Sequence, residues 1–191
     1  MKQEFNEGKT FKKADYTQNP LATGEYDNCS FINCDFSESD LADIQFIDCI
    51  FESCNMSMAK LNKTVLRDIE FRNCKMLGLQ FENCNQTGLS ARFDNCNLSH
   101  SSFYKIKLKN TEFKNLSLHD ADFTGSDLTG SVFENCDLTR ALFENSNLEK
   151  ADFRTAFGFS IDPERNKIKK AMFSSSGIAG LLDKYDIDID L

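Results

Sequence analysis

The 191-residue chain is short of the residues that interrupt a polypeptide: two prolines, Pro20 and Pro163, and no glycine/serine-rich linker. With nothing to mark an internal boundary, one continuous body is expected. No stretch approaches the roughly 18 apolar residues of a membrane-spanning helix, and the first ten residues are polar. The expectation is a soluble, cytoplasmic protein with no membrane contact. There are only two histidines, His100 and His119, and the eight cysteines form no C-x-x-C pair. Acid–base and metal chemistry need convergent side chains. No enzyme, metal site or cofactor is therefore expected.

Basic residues are missing from one region altogether. Residues 25–59 hold eight acidic side chains and no basic one, residues 60–119 hold ten basic and five acidic, and residues 120–152 hold two basic and eight acidic. The net charge of −8 is thus two acidic zones around a basic one.

What the chain has in abundance is a period of five. From Phe93 to Phe153, phenylalanine and leucine alternate at every fifth position, and the series runs back through Phe81, Met76 and Phe71 to Phe11. All 28 positions are apolar, where composition alone would place about 11. A step of five fits neither the 3.6 of a helix nor the 2 of a strand, so the chain must turn once per unit and stack coil on coil. Four units per coil, with two extra residues between Phe81 and Phe93, put Phe11, Phe31, Phe51, Phe71, Phe93, Phe113, Phe133 and Phe153 in one ladder of rings. The extra residues predict a small bulge on one corner. Seven cysteines lie two residues before an apolar centre, and Cys84 lies two before Gln86, a degraded one. That offset reads as a second, tight inward site for reduced thiols.

The copies Ala121-Asp122-Phe123-Thr124-Gly125, Ser126-Asp127-Leu128-Thr129-Gly130 and Cys136-Asp137-Leu138-Thr139-Arg140 resemble the unit of the pentapeptide-repeat family. The resemblance implies an all-β solenoid, a right-handed quadrilateral β-helix of about seven coils. We divide the chain into a polar segment (1–10), the β-helix (11–173) and a tail (174–191). In the tail, Ser174 to Ser176 offer an N-cap, and Ile178, Leu181, Leu182 and Tyr185 fall at helical spacing. Ile187, Ile189 and Leu191 then alternate with aspartates, as in a strand. A short helix and strand are predicted, either capping the last coil or packing on a second copy; the second is favoured because both elements exceed what one end needs.

The tail also resembles that of the quinolone-resistance (Qnr) group, which implies a homodimer joined end to end. That resemblance further implies a DNA-mimicking rod that occupies the DNA-binding saddle of DNA gyrase or topoisomerase IV and does not itself bind nucleic acid. Asp120, Asp122, Asp127, Glu134, Asp137, Glu144, Glu149 and Asp152 would form a continuous acidic centre of such a dimer. The aspartates among them that precede a central residue also suit local hydrogen bonding at the corner, which needs no partner. The alternative from another class is a scaffold that presents mixed-charge faces to an unrelated protein.

Overall fold

A computed structural model of the protein describes residues 4–188. Among the described residues, eleven short strands lie in two parallel sheets. One contains β1 (Glu4–Glu7), β3 (Gly24–Asp27), β5 (Gln45–Ile47) and β7 (Val65–Arg67). The other contains β2 (Thr10–Lys12), β4 (Ser30–Ile32), β6 (Ile50–Glu52), β8 (Ile69–Arg72), β9 (Ala91–Asp94), β10 (Glu112–Lys114) and β11 (Val132–Glu134). Single bridges such as Asp15 to Asp35 and Asp40 to Lys60 complete the remaining two sides. The chain is the four-sided β-solenoid that the period required.

Register follows the expected ladder. Phe11 pairs with Phe31, Phe31 with Phe51 and Phe51 with Phe71 at steps of 20 residues, whereas Phe71 pairs with Phe93 at a step of 22. The two extra residues sit at the corner formed by residues 86–90, where Gln86 is exposed and Leu89 turns partly into the core instead. Stacked rings continue from Phe133 to Phe153 and on to Phe173, so the ladder has nine members and seven regular turns followed by an irregular one. In that last turn Gly158 and Pro163 occupy the central positions. Phe159 and Ile161 fill the core in their place.

The core is built of two kinds of aromatic contact. Along the axis, rings lie nearly parallel, as for Phe113 and Phe133 at 4.7 Å and 7°. Across the axis, a second ladder of Phe81, Phe103, Phe123 and Phe143 meets the first edge-on, as for Phe123 and Phe133 at 5.9 Å and 88°. Offset stacks and edge-to-face pairs are the two arrangements that the ring quadrupole favours.

The tight inward site has a second reason for its residue types. Cysteine Sγ atoms there lie against the carbonyl of a central residue of the preceding coil: Cys34 with Phe11, Cys54 with Phe31, Cys74 with Phe51 and Cys136 with Phe113, at 3.3–3.5 Å. Thr64, Ser131 and Ser146 donate their hydroxyls to the equivalent carbonyls of Leu41, Leu108 and Phe123. A small side chain with a donor satisfies a buried acceptor that bulk would block. All eight cysteines are free and buried.

Corners require a left-handed residue. The second residue after almost every centre has φ between 50° and 62°, as in Asn33, Asp48, Asn73, Asn115 and Lys150. Asparagine, aspartate and glycine tolerate this region best. Gly125 and Gly130 are two such corners, with φ of 68° and 71°.

Two boundaries differ from those read in the sequence. Residues 4–7 belong to the solenoid, since β1 pairs with β3 along its length; its central residue is Asn6, whose polarity hid it from an apolar pattern. Among its described residues the tail forms no α-helix. It makes 3₁₀ turns over Ser175–Leu181 and Asp183–Tyr185, with Ser174 Oγ capping the Gly177 amide at 3.1 Å as expected. No strand is formed at Ile187, while Ile189 and Leu191 lie outside the described residues. The cause is contact with the last coil. Gly180 presses on Phe159 so closely that a Cβ would meet its carbonyl oxygen at 2.2 Å, and the Gly180 carbonyl accepts the Ile161 amide at 2.8 Å. Fitted to that surface, the tail is tied down further by Lys184 Nζ, 2.8 Å from both Asp162 and Glu164.

Candidate partner-binding surface

With the central residue and the small residue inside, three residues of every five remain outside, and any site must be built from these. Five residues turn the chain by one side, so side chains near in sequence go to different faces and those 20 apart share one. The eight candidate acids of the 120–152 zone accordingly divide two to a face. Glu134 and Asp152 lie on the side of β10 and β11, Asp120 and Asp137 on the next, Asp122 and Glu144 on the third, and Asp127 and Glu149 on the side of β5 and β7. They form a girdle and not one acidic face.

Most of the girdle is already neutralised. Arg140 grips Asp120 through two bonds of 2.6 and 2.7 Å, Lys109 lies 3.1 Å from Asp127, and Lys114 lies 3.5 Å from Glu134. His119 Nε2 lies 2.6 Å from Asp137, Arg165 2.7 Å from Glu144, and Arg154 2.7 Å from Asp152. Among the described residues, Asp122 and Glu149 make no ion pair, and Asp137 has the His119 imidazole alone. The Arg140 bond, with the nearby charges of Arg140, His100 and His119, holds the Asp120 carboxyl below its ordinary range. Exposed pairs of this kind contribute little stability, but they remove charge from view.

The aspartates also do local work. Asp122, Asp127, Asp137 and Asp152 each accept the backbone N–H two residues on, at 2.8–3.2 Å, as Asp35 and Asn97 do elsewhere. This Asx turn leads into the corner and explains the preference for Asp or Asn before each centre.

The other acidic zone behaves differently. Glu25, Asp27, Asp35, Glu38, Asp40, Asp43, Asp48 and Glu52 make no ion pair among the described residues. They encircle the second and third coils as a belt of carboxylates without an ion pair, with Lys60 and Arg72 of the following coil beside Asp40 and Glu52 at its edge. Sequence reasoning counted this zone but singled out the other. The absence of any lysine or arginine between residues 25 and 59 was the signal that separated them.

Near the insertion, a cleft of about 520 Å³ opens at the corner between β9 and β10. There the stack loosens, with Phe93 and Phe113 at 5.8 Å against 4.7 Å one coil later. Its walls mix Asp48, Asp68 and Glu112 with Arg92, Lys107 and Lys109. Asp137 lies between His119 and Thr139, and takes the Thr139 hydroxyl at 2.6 Å. Among the described residues, no group of three or more histidine, cysteine or acidic side chains is placed to hold a metal ion.

The candidate interface residues of the tail divide. Leu181 packs on the core and Leu182 is half-buried, whereas Ile178, Tyr185 and Ile187 are 48%, 52% and 56% exposed. Ile189 lies outside the described residues.

A four-sided solenoid of five-residue units with free small residues at its second inward site defines a class of repeat protein. A pentapeptide repeat region is matched over residues 25–92 and 79–153, and the chain belongs to the pentapeptide-repeat family. Among solved structures it is similar to a trypsin-treated form of QnrB1, a plasmid-mediated fluoroquinolone resistance protein, with a TM-score of 0.65, 22% identity, and 97% of each chain covered. Full-length QnrB1 matches with a TM-score of 0.57 and 22% identity over 95% of this chain and 99% of that one. At that identity the likeness is one of fold. No curated protein matches in sequence.

Proposed function

We propose that the chain is a non-enzymatic binding rod whose acidic belt engages a basic macromolecular partner, and that this partner is a type II topoisomerase, DNA gyrase or topoisomerase IV. The observation that carries the reading is the belt over residues 25–59: eight carboxylates on successive corners and edges of a rigid rod, with no cation among them. Carboxylates at regular spacing present a DNA-binding groove with the same salt-sensitive attraction as phosphates. The fold shared with a fluoroquinolone resistance protein makes a topoisomerase the first partner to test. Two copies join through their tails, where Ile178, Tyr185 and Ile187 offer apolar surface. Asp122 and Glu149, the unpaired acids of the girdle, extend the contact towards the centre of the pair.

The test is gyrase supercoiling with rising amounts of the protein across a salt series, with and without a quinolone. Inhibition or protection should weaken with salt and be lost when Glu25, Asp27, Asp35 and Glu38 become amides. Neutralising the already paired Asp120, Asp127 and Asp152 should matter less. Supercoiling that is indifferent to tens of micromolar protein removes the topoisomerase. The neutralised girdle would then favour the scaffold reading, in which mixed-charge faces meet an unrelated protein.

A further inference from the structure

One of the four sides differs from the rest in how its charge is arranged. The side that starts with β1, β3 and β5 carries Glu7, Glu25, Asp27 and Asp48 on its first three coils and no basic residue there. Its last two coils, linked by the bridge between Asn147 and Lys167, carry Lys150, Lys167, Lys169 and Lys170 against the single acid Glu149. None of these eight forms an ion pair among the described residues, and all four lysines are exposed. At about 4.8 Å per coil, the two ends of the side stand roughly 38 Å apart, several times the screening length of about 10 Å in 0.1 M salt. The ends of one molecule therefore do not neutralise each other.

We propose that this side is a self-association surface, on which a second copy of the chain lies antiparallel. A two-fold axis perpendicular to the side at its middle coil sets the coil of Glu7 against that of the partner's lysines, and the coil of Glu25 and Asp27 against that of Lys150. The contact is isologous, so each lysine end meets an acidic end twice over. The coil on the axis, with Asn85 and Thr87 outward, carries no charge, so no like charges meet there. In the middle coils, Arg67 and Asp68 face Lys107 and Lys109, and Asp48 faces Asp127, which Lys109 already pairs at 3.1 Å, so the attraction comes from the two ends. A strip three residues wide and roughly 38 Å long covers roughly 400 Å² per copy, below the roughly 800 Å² per partner of a stable interface. The pair is thus weak, and charge complementarity decides whether it forms.

Sedimentation equilibrium of the full chain, at about 100 µM to suit so small a contact, tests this. The average mass should fall about twofold between about 20 mM and about 500 mM salt as screening rises. The tail contact proposed above is apolar and survives that change, so the halving belongs to the charged side. Two charge-reversed forms, one carrying K150E, K167E, K169E and K170E and the other E7K, E25K, D27K and D48K, should each lose the low-salt association while keeping wild-type circular dichroism. Mixed one to one, they should regain it. A wild-type mass that does not change with salt, or folded variants that stay apart when mixed, would overturn the proposal. Should the reversed forms not fold, single reversals at Lys169 and Glu25, mixed in the same way, carry the test.

Discussion

Gly180 rests on the backbone of Phe159 with no room for a side chain: a Cβ would stand 2.2 Å from the Phe159 carbonyl oxygen and 3.0 Å from its ring. The obstacle is backbone, which cannot swing aside, so Gly180→Ala must lift the tail from the last coil. The expected cost is about 1–3 kcal/mol, as for other overpacked contacts. Hydrogen exchange should show faster exchange at Ile161, whose amide bonds Gly180, with protection of the central coils unchanged. Unaltered exchange at Ile161 would mean that the tail is not held there.

Phe113 sits in mid-ladder, stacked on Phe93 and Phe133 and met edge-on by Phe103 and Phe123, with no exposed surface. Phe113→Ala should cost about 3–5 kcal/mol in urea unfolding, the range for buried phenylalanine truncations. Phe173, at the end of the same ladder and partly buried, should cost clearly less. Equal losses at the two sites would contradict the stacking order.

How much of this could be read beforehand depended on the kind of information each residue carries. Phe11 to Phe153 announced the coil because every centre but Gln86 is apolar, and the shift at residues 86–90 announced itself by displacing Phe93 by two. Phe173 falls within the β-helix of 11–173 but not within the ladder read from the sequence, because Gly158 and Pro163 stand where centres should be, and the core there is filled from off-register positions by Phe159 and Ile161. The tail misled because Ile178, Leu181, Leu182 and Tyr185 do have helical spacing. Only the contact of Gly180 with Phe159 shows that the segment is shaped by the surface beneath it. The acids of the 120–152 zone misled for a third reason: they are continuous in sequence, but each step of five carries them around the rod. Which carboxylate has a cation 20 residues away, as Asp120 has Arg140, is a question of stacking.

The buried thiols should be inert in the folded state. Burial pushes the Cys49, Cys84 and Cys136 thiols up to about 12, against an ordinary value near 9. The thiolate is the reactive form, and all eight thiols are buried, Cys96 included, whose hydrogen bond with Cys74 pulls its thiol below the ordinary value. Alkylation of the native protein near neutral pH should therefore label none of the eight on the time scale that labels all of them in urea. Cys136→Ala, which removes a bond to the Phe113 carbonyl but keeps a small residue like Ala121 and Ala151 at equivalent sites, should cost about 1 kcal/mol. Rapid labelling of any cysteine without denaturant would show that its coil opens.

Acid should unfold the rod through its corner aspartates. Burial alone would raise the Asp127 and Asp137 carboxyls, but hydrogen bonds from Thr129 and Thr139, together with Lys109 and His119, hold both below the ordinary value. Arg154 does the same for Asp152. A carboxyl whose pKa is lower folded than unfolded binds its proton less readily in the native state, so its contribution is complete above the unfolded value of about 3.9 and disappears as pH falls through the folded one. The urea midpoint should therefore hold near pH 5 and decline over the interval below about pH 4. Asp137→Asn keeps an acceptor for the Thr139 amide and hydroxyl but has no proton to gain, so the variant should lose less stability over that interval than wild type. Parallel acid curves for the two proteins would show that Asp137 titrates alike in the folded and unfolded chains, and the bonds from Thr139 and His119 would then have no preference for the ionised carboxylate.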